Sequence, residues 1–126
     1  MDESLFFKPL NSNNKKQIGD EKEQLAKRFL LKQKLRFIEQ NFHCRWGEID
    51  LIFQDPNSSQ LIFVEVRFRA SNQFGGAAAS ITMSKQQKIR KSALFYLSQR
   101  KIEPNLRFDV IAIDGKEFNW IQNAFS

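Results

Sequence analysis

The feature that most constrains this chain is a pair of apolar runs, residues 46–53 and 61–68, separated by Gln54-Asp55-Pro56-Asn57-Ser58-Ser59-Gln60. Val, Ile and Phe suit a pleated, half-buried surface, and the residues between the runs favour turns. Together they predict a β-hairpin. Side chains alternate between the faces of a strand. Glu48, Asp50 and Ile52 therefore share one face, and Ile49, Leu51 and Phe53 the other. In the second run Glu65 and Arg67 share a face with Leu61 and Phe63, and Ile62, Val64, Val66 and Phe68 take the opposite one. Both faces are apolar near the turn, as expected of a central pair of strands covered on both sides.

A hairpin centred between Asn57 and Ser58 sets Asp50 opposite Glu65 and Glu48 opposite Arg67, with all four charges on one face. A slip of one residue would send Asp50 and Glu65 to opposite faces. Opposed carboxylates repel, and burial adds to the penalty. A divalent cation such as Mg²⁺ or Mn²⁺ would remove the conflict, because Mg²⁺ is held by a few carboxylate oxygens plus waters. The same cation could bind a scissile phosphate and acidify an attacking water, while Arg67 neutralises the phosphate's developing charge. Structural ion pairs, Glu48–Arg67 and Glu65–Arg67, are the competing reading of the same spacing.

Helices and further strands surround the hairpin. Residues 19–34 read as a helix with Leu25, Ala26, Phe29 and Leu30 as its apolar face. Asp20, Glu21 and Glu23 crowd its first turn, where the helix dipole favours acids. Glu23 falls beside the buried stripe. A strand follows over 35–41. A second helix starts at Ser84, which forms a capping box with Gln87. Ile89, Ala93, Tyr96 and Leu97 give it an apolar face, and Pro104 and Asn105 stop it. Residues 107–113 form a strand, Asp114-Gly115 a tight turn, and 117–121 a short final strand. This order predicts an α/β fold, a mixed sheet of four to five strands flanked by helices. Residues 1–15, with polar Asn11-Ser12-Asn13-Asn14, read as a flexible tail, and 16–126 as one domain.

With 126 residues, 41% of them hydrophobic and 13 Phe, the chain can bury a core, which excludes disorder throughout. A single cysteine, Cys44, excludes an internal disulfide and fits a reducing compartment. No apolar run approaches the roughly 20 residues of a membrane span. The first ten residues lack the basic start of a signal peptide, so a cytoplasmic location is expected.

The formal net charge of +6 favours polyanions, nucleic acid first. Lys85, Lys88, Arg90 and Lys91 cluster at the start of the second helix, where they and the Gly75-Gly76 loop could grip a phosphate backbone or form a solvated face. Arg67 and Arg69, with Phe68 and Phe74, could serve a strand by charge and stacking. His43 and Cys44 adjoin the charged cluster, but no second Cys or His offers zinc-ligand spacing. Asp109 could enter the site from a neighbouring strand or, the favoured reading, serve as a structural partner of Arg107 or Arg45, and Trp46 and Trp120 read as core or edge packing.

Several segments in order sharpen this reading. They are residues 19–23, Gly47-Glu48-Ile49-Asp50-Leu51-Ile52, Phe63-Val64-Glu65-Val66-Arg67, Gly75-Gly76-Ala77-Ala78-Ala79-Ser80, Arg107-Phe108-Asp109-Val110 and 120–125. Across roughly residues 17–125 the chain resembles the YraN family of bacterial proteins, which is similar to the PD-(D/E)xK nucleases, restriction enzymes and Holliday-junction resolvases among them. The resemblance implies a restriction-endonuclease-like three-layer fold. It implies Glu23 as the helix acid, Asp50 as the strand acid, and Glu65 as the glutamate of Glu-x-Lys, with these three holding Mg²⁺ or Mn²⁺. Arg67 occupies the lysine position. Arginine stays protonated and cannot act as a base, but it can clamp a phosphate through two parallel hydrogen bonds.

The expected activity is metal-dependent hydrolysis of phosphodiester bonds in DNA, branched or structured DNA included. Resolvase-like relatives imply a homodimer. The alternatives are a non-catalytic nucleic-acid-binding module on the same fold and an interaction protein whose charges form a salt-bridge network.

Overall fold

The residues between the two apolar runs turn as their chemistry demands. The Asp55 carboxylate accepts the Asn57 N–H at 2.9 Å, and the Asp55 carbonyl accepts the Ser59 N–H at 2.8 Å. In the computed structural model, which describes residues 12–69, 76–102 and 105–125, this turn joins two strands of a five-stranded sheet. The elements in chain order are α1 (Ser12–Lys32), β1 (Arg36–Cys44), β2 (Gly47–Gln54), β3 (Leu61–Arg69), a 3₁₀ turn (Ala78–Ser80), α2 (Met83–Arg100), β4 (Leu106–Asp114) and β5 (Glu117–Ile121).

The strands lie in the order β1-β2-β3-β4-β5. β3 and β4 are parallel, and every other neighbouring pair is antiparallel. Parallel neighbours need a long crossover, and α2 supplies it. The hairpin register is the expected one, with Leu51 opposite Val64 and Ile52 opposite Phe63.

Each helix covers one face of the sheet. Ala26 and Leu30 of α1 pack with Leu51, Phe53, Ile62, Val64, Ile111 and Ile113. Ile89, Ala93, Tyr96 and Leu97 of α2 pack with Phe42, Ile52, Leu61, Phe63 and Phe108. Tyr96 meets Phe42 and Phe63 edge-on, with ring centroids 5.1 and 5.8 Å apart. Such aromatic pairs add about 0.5–1.5 kcal/mol beyond burial of area. The result is the three-layer, restriction-endonuclease-like α/β architecture. Among the described residues no helix is long and apolar enough to cross a membrane.

Several local expectations are corrected. α1 begins at Ser12 and not at Gly19, so residues 12–15 of the expected tail are helical, while 1–11 lie outside the described residues. Ser and Asn lose only a few tenths of a kcal/mol in a helix, and extending an existing helix adds a hydrogen bond per residue. Leu25 is 45% exposed, because the face resting on the sheet is carried by Ala26 and Leu30, with Phe29 half-buried beside them. β1 continues past Asn41 to Cys44.

α2 is capped by Thr82, whose hydroxyl accepts the Lys85 N–H at 3.2 Å, and not by Ser84. Its far end closes at left-handed Lys101, with the Ile102 N–H returned to the Leu97 carbonyl. Phe74, Gly75 and Pro104 lie outside the described residues.

Candidate functional site

The ladder between β2 and β3 ends at Leu51–Val64, one step before Asp50 would face Glu65. In its place the Asp50 carboxylate accepts the Val66 N–H at 2.8 Å. Strict alternation also fails here. Leu51 packs on the α1 side of the sheet, whereas Ile49, expected beside it, packs on the α2 side with Phe42. The same step in β1 is taken at Asn41, whose φ is +54°, a conformation that Asn tolerates better than most residues. Asp50, only 6% exposed, therefore reaches along the sheet toward β3 and does not stand on either face.

The parted hairpin opens a cleft of about 360 Å³. α1 contributes Gly19 and Glu23, β2 contributes Gly47, Glu48 and Asp50, β3 contributes Glu65 and Arg67, and α2 contributes Lys85 and Lys88. Four segments distant in sequence thus deliver the expected acids and two of the expected lysines to one place.

Burial and neighbouring charge raise two of the acids, Glu65 and Glu23. Burial pushes the Glu65 carboxyl far above the usual carboxylate range. A hydrogen bond to Asp50 and the charge of Asp50 add to the rise, and Arg67 only partly offsets it. At neutral pH the Asp50–Glu65 pair therefore favours holding a proton between its two carboxyls. Glu23 is raised to about 7, by burial first and then by the charges of Asp50, Asp20 and Glu48. The Arg67 guanidinium lies 3.6 Å from Glu65, and its buried Nε has no hydrogen-bond partner among the described residues.

Not every expected residue joins the site as imagined. Glu48 does not pair with Arg67, because β2 and β3 have already parted there. It faces His43 across the β1–β2 ladder, with its carboxylate 3.2 Å from His43 Nδ1. Arg69 is exposed and does not line the cleft. The basic cluster on α2 divides by helical geometry. Lys85 and Lys88 enter the cleft, Arg90 lies 5.4 Å from the Phe125 ring, and Lys91 lies 5.1 Å from the Trp46 ring. Asp109 is fully buried and structural. It accepts from Arg107 twice at 2.8 Å, from Trp120 Nε1 at 2.9 Å and from the Asn123 N–H at 2.9 Å. Trp120 is half-buried, as edge packing requires, but Trp46 is 36% exposed and packs into neither core cluster.

Among the described residues no three His, Cys, Asp or Glu side chains converge as a ready metal-ligand set. Glu23 lines the cleft without closing on the Asp50–Glu65 pair. That pair nevertheless suits a hard divalent cation. Two carboxyls sharing a proton are a place where a cation can replace the proton, and Mg²⁺ needs only one or two carboxylates with waters completing its shell.

A mixed sheet between two helices, opened at its central hairpin by a buried aspartate, belongs to the restriction-endonuclease-like α/β class. Within that class the chain belongs to the uncharacterised protein family UPF0102, whose sequence model matches residues 22–113, in agreement with the YraN resemblance. A UPF0102 protein of Vibrio parahaemolyticus is 47% identical over 117 residues, covering 90% of this chain and 95% of its own. Another, from Psychromonas ingrahamii, is 49% identical over 118 residues, covering 92% and 93%. A third, from Herminiimonas arsenicoxydans, is 50% identical over 107 residues, covering 85% of each.

Proposed function

We propose that the chain is a Mg²⁺- or Mn²⁺-dependent endonuclease-like protein that hydrolyses phosphodiester bonds in DNA, branched or structured DNA included. One observation carries this reading. The Asp50–Glu65 pair, which suits a cation, shares its cleft with Arg67, Lys85 and Lys88, which suit an anion. A phosphodiester with a divalent cation needs that juxtaposition of charge.

Asp50 and Glu65 hold the cation, and Glu23 completes the acidic wall. Arg67 turns its Nε, which has no partner among the described residues, and its terminal nitrogens to the phosphate, where a guanidinium can form two parallel hydrogen bonds. Lys85 and Lys88 seat the flanking backbone. When bound, the cation supplies Lewis-acid polarisation of the phosphate and a lowered pKa for an attacking water. Arg67 stays protonated throughout, so its part is to neutralise charge and not to take a proton. Action in the cytoplasm, as a homodimer, belongs to the same reading.

A non-catalytic nucleic-acid-binding module is the second reading. Arg67 at the position of the motif lysine favours it, because β3 offers no lysine there to position or deprotonate a water. The two are separated by titrating Mg²⁺ and Mn²⁺ into wild type and Asp50→Asn, with cleavage of branched and linear DNA followed in the same buffers. Cation binding and cleavage, both lost in Asp50→Asn, support the nuclease. DNA binding without cleavage, indifferent to the cation, supports the module. Binding of neither would leave the cluster as a structural charge network.

A further inference from the structure

The turn between β1 and β2 lies against α2. Gly47 is favoured there by its φ of +143°, which side chains rarely adopt, and its Cα faces α2, where a Cβ would meet Ser92 Oγ at 3.8 Å and Lys88 Cβ at 3.9 Å in ordinary contact. The residue before it, Trp46, is held at the surface. Two cations attend its ring, the Arg45 guanidinium at 4.5 Å from the centroid and Lys91 Nζ at 5.1 Å. Gly47 and Lys88 line the cleft, and Trp46 and Lys91 sit one residue and one helical turn beyond them. Lys88 and Lys91, spaced i and i+3, are neighbours on the helix surface, roughly 5–6 Å apart at Cβ. An indole with cationic neighbours thus continues the cleft outward along α2.

We propose that Trp46, with Arg45 and Lys91, is a stacking platform for an unpaired nucleobase of a nucleic-acid strand whose backbone passes Lys88 into the cleft. This rests on the nucleic-acid reading above and narrows its substrate class. A base within a duplex has both faces covered by its neighbours, so it cannot stack on a protein indole without being extruded. A single-stranded flap, gap or branch offers a bare π-face next to a phosphate. Indole stacking with cations on the backbone is the combination that holds single strands with little regard for sequence. The preferred substrate is therefore DNA with single-stranded character beside the scissile phosphate.

The test measures binding in EDTA, so it does not depend on cleavage. Affinities of wild type, Trp46→Leu and Trp46→Phe are measured for a single-stranded oligonucleotide, a flapped duplex and a blunt duplex. Trp46→Leu should weaken single-strand and flap binding roughly 5- to 100-fold and leave the blunt duplex unchanged. Trp46→Phe should restore most of the loss, since a phenyl ring still stacks. The single strand should also quench wild-type tryptophan emission, which keeps the test open if Trp46→Leu folds poorly. Equal weakening for all three DNAs would overturn the platform, because Trp46 would then only be holding Arg45 and Lys91 in place. No weakening for any of them would also overturn it, while the nucleic-acid reading stood. If wild type binds none of the three, both fail together.

Discussion

Replacing Glu65 with glutamine should make the cation-free protein more stable at neutral pH. The reasoning depends on a carboxyl that keeps its proton when folded and loses it when unfolded. The ordinary value for the group is 4.5, and burial beside Asp50 carries the folded value well above neutrality. Above pH 4.5 the unfolded chain therefore binds fewer protons than the folded one, so stability falls as pH rises. The slope is about 1.4 kcal/mol per pH unit for one group. Between pH 4.5 and 7 that amounts to about 3 kcal/mol, and this holds for any folded value above 7. Glutamine still offers a donor to Asp50 and never ionises.

Wild type and Glu65→Gln should thus be equally stable near pH 4.5. By pH 7 the variant should lead by about 3 kcal/mol, or roughly 10 °C in Tm for a domain of this size. Urea unfolding in EDTA from pH 4.5 to 8 reads the difference directly, because every other titrating group is common to both proteins. A gap that does not change with pH, or a more stable wild type at pH 7, would refute the argument. It would mean that Glu65 is ionised and held by Arg67 at 3.6 Å.

Two further outcomes follow from the same structure. Because a cation must displace the Glu65 proton and meets Glu23 raised to about 7, Mg²⁺ affinity should rise steadily from pH 6 to 8. Calorimetry in buffers of different ionisation heat should detect the released protons, and identical heats in all of them would count against displacement. Asp109→Ala strands the largely buried Arg107 and removes four hydrogen bonds, so it should cost about 3–5 kcal/mol in urea unfolding. A loss below about 1 kcal/mol would mean that the buried carboxylate is not what holds β4 to the chain end.

The hairpin register was legible because two independent signals agreed. The Asp55-Pro56-Asn57-Ser58 stretch allows few turns, and a slip of one residue would take Leu51, Phe53, Ile62 and Val64 off their shared buried face. That register sets Asp50 beside Glu65 on sequence grounds alone. The α2 core face was legible for a similar reason, since Ile89, Ala93, Tyr96 and Leu97 recur with helical period.

What escaped were choices that local sequence leaves nearly balanced. Thr82 and Ser84 are both competent caps, and tertiary packing selects the earlier one. Alternation read from Ile49 to Phe53 assumed an unbroken strand, and the step at Asn41 and Asp50 broke it. The proton on Glu65 becomes visible only with burial, which no spacing reports. Of the core and edge positions open to Trp46, the core is excluded by its 36% exposure, and nothing local reveals that the turn sets it beside Lys91 of α2.

The bond from the Val66 N–H to Asp50 carries one more consequence. This carboxylate stands in for a missing ladder carbonyl between the two middle strands, so the fold needs it whether or not any chemistry is performed. An inactive descendant of such a protein would be under mechanical pressure to keep its aspartate and under none to keep Glu65, whose buried acid destabilises the cation-free chain. In comparing relatives, the aspartate would therefore report the fold, and on the proposed reading the glutamate would report whether a cation is still bound.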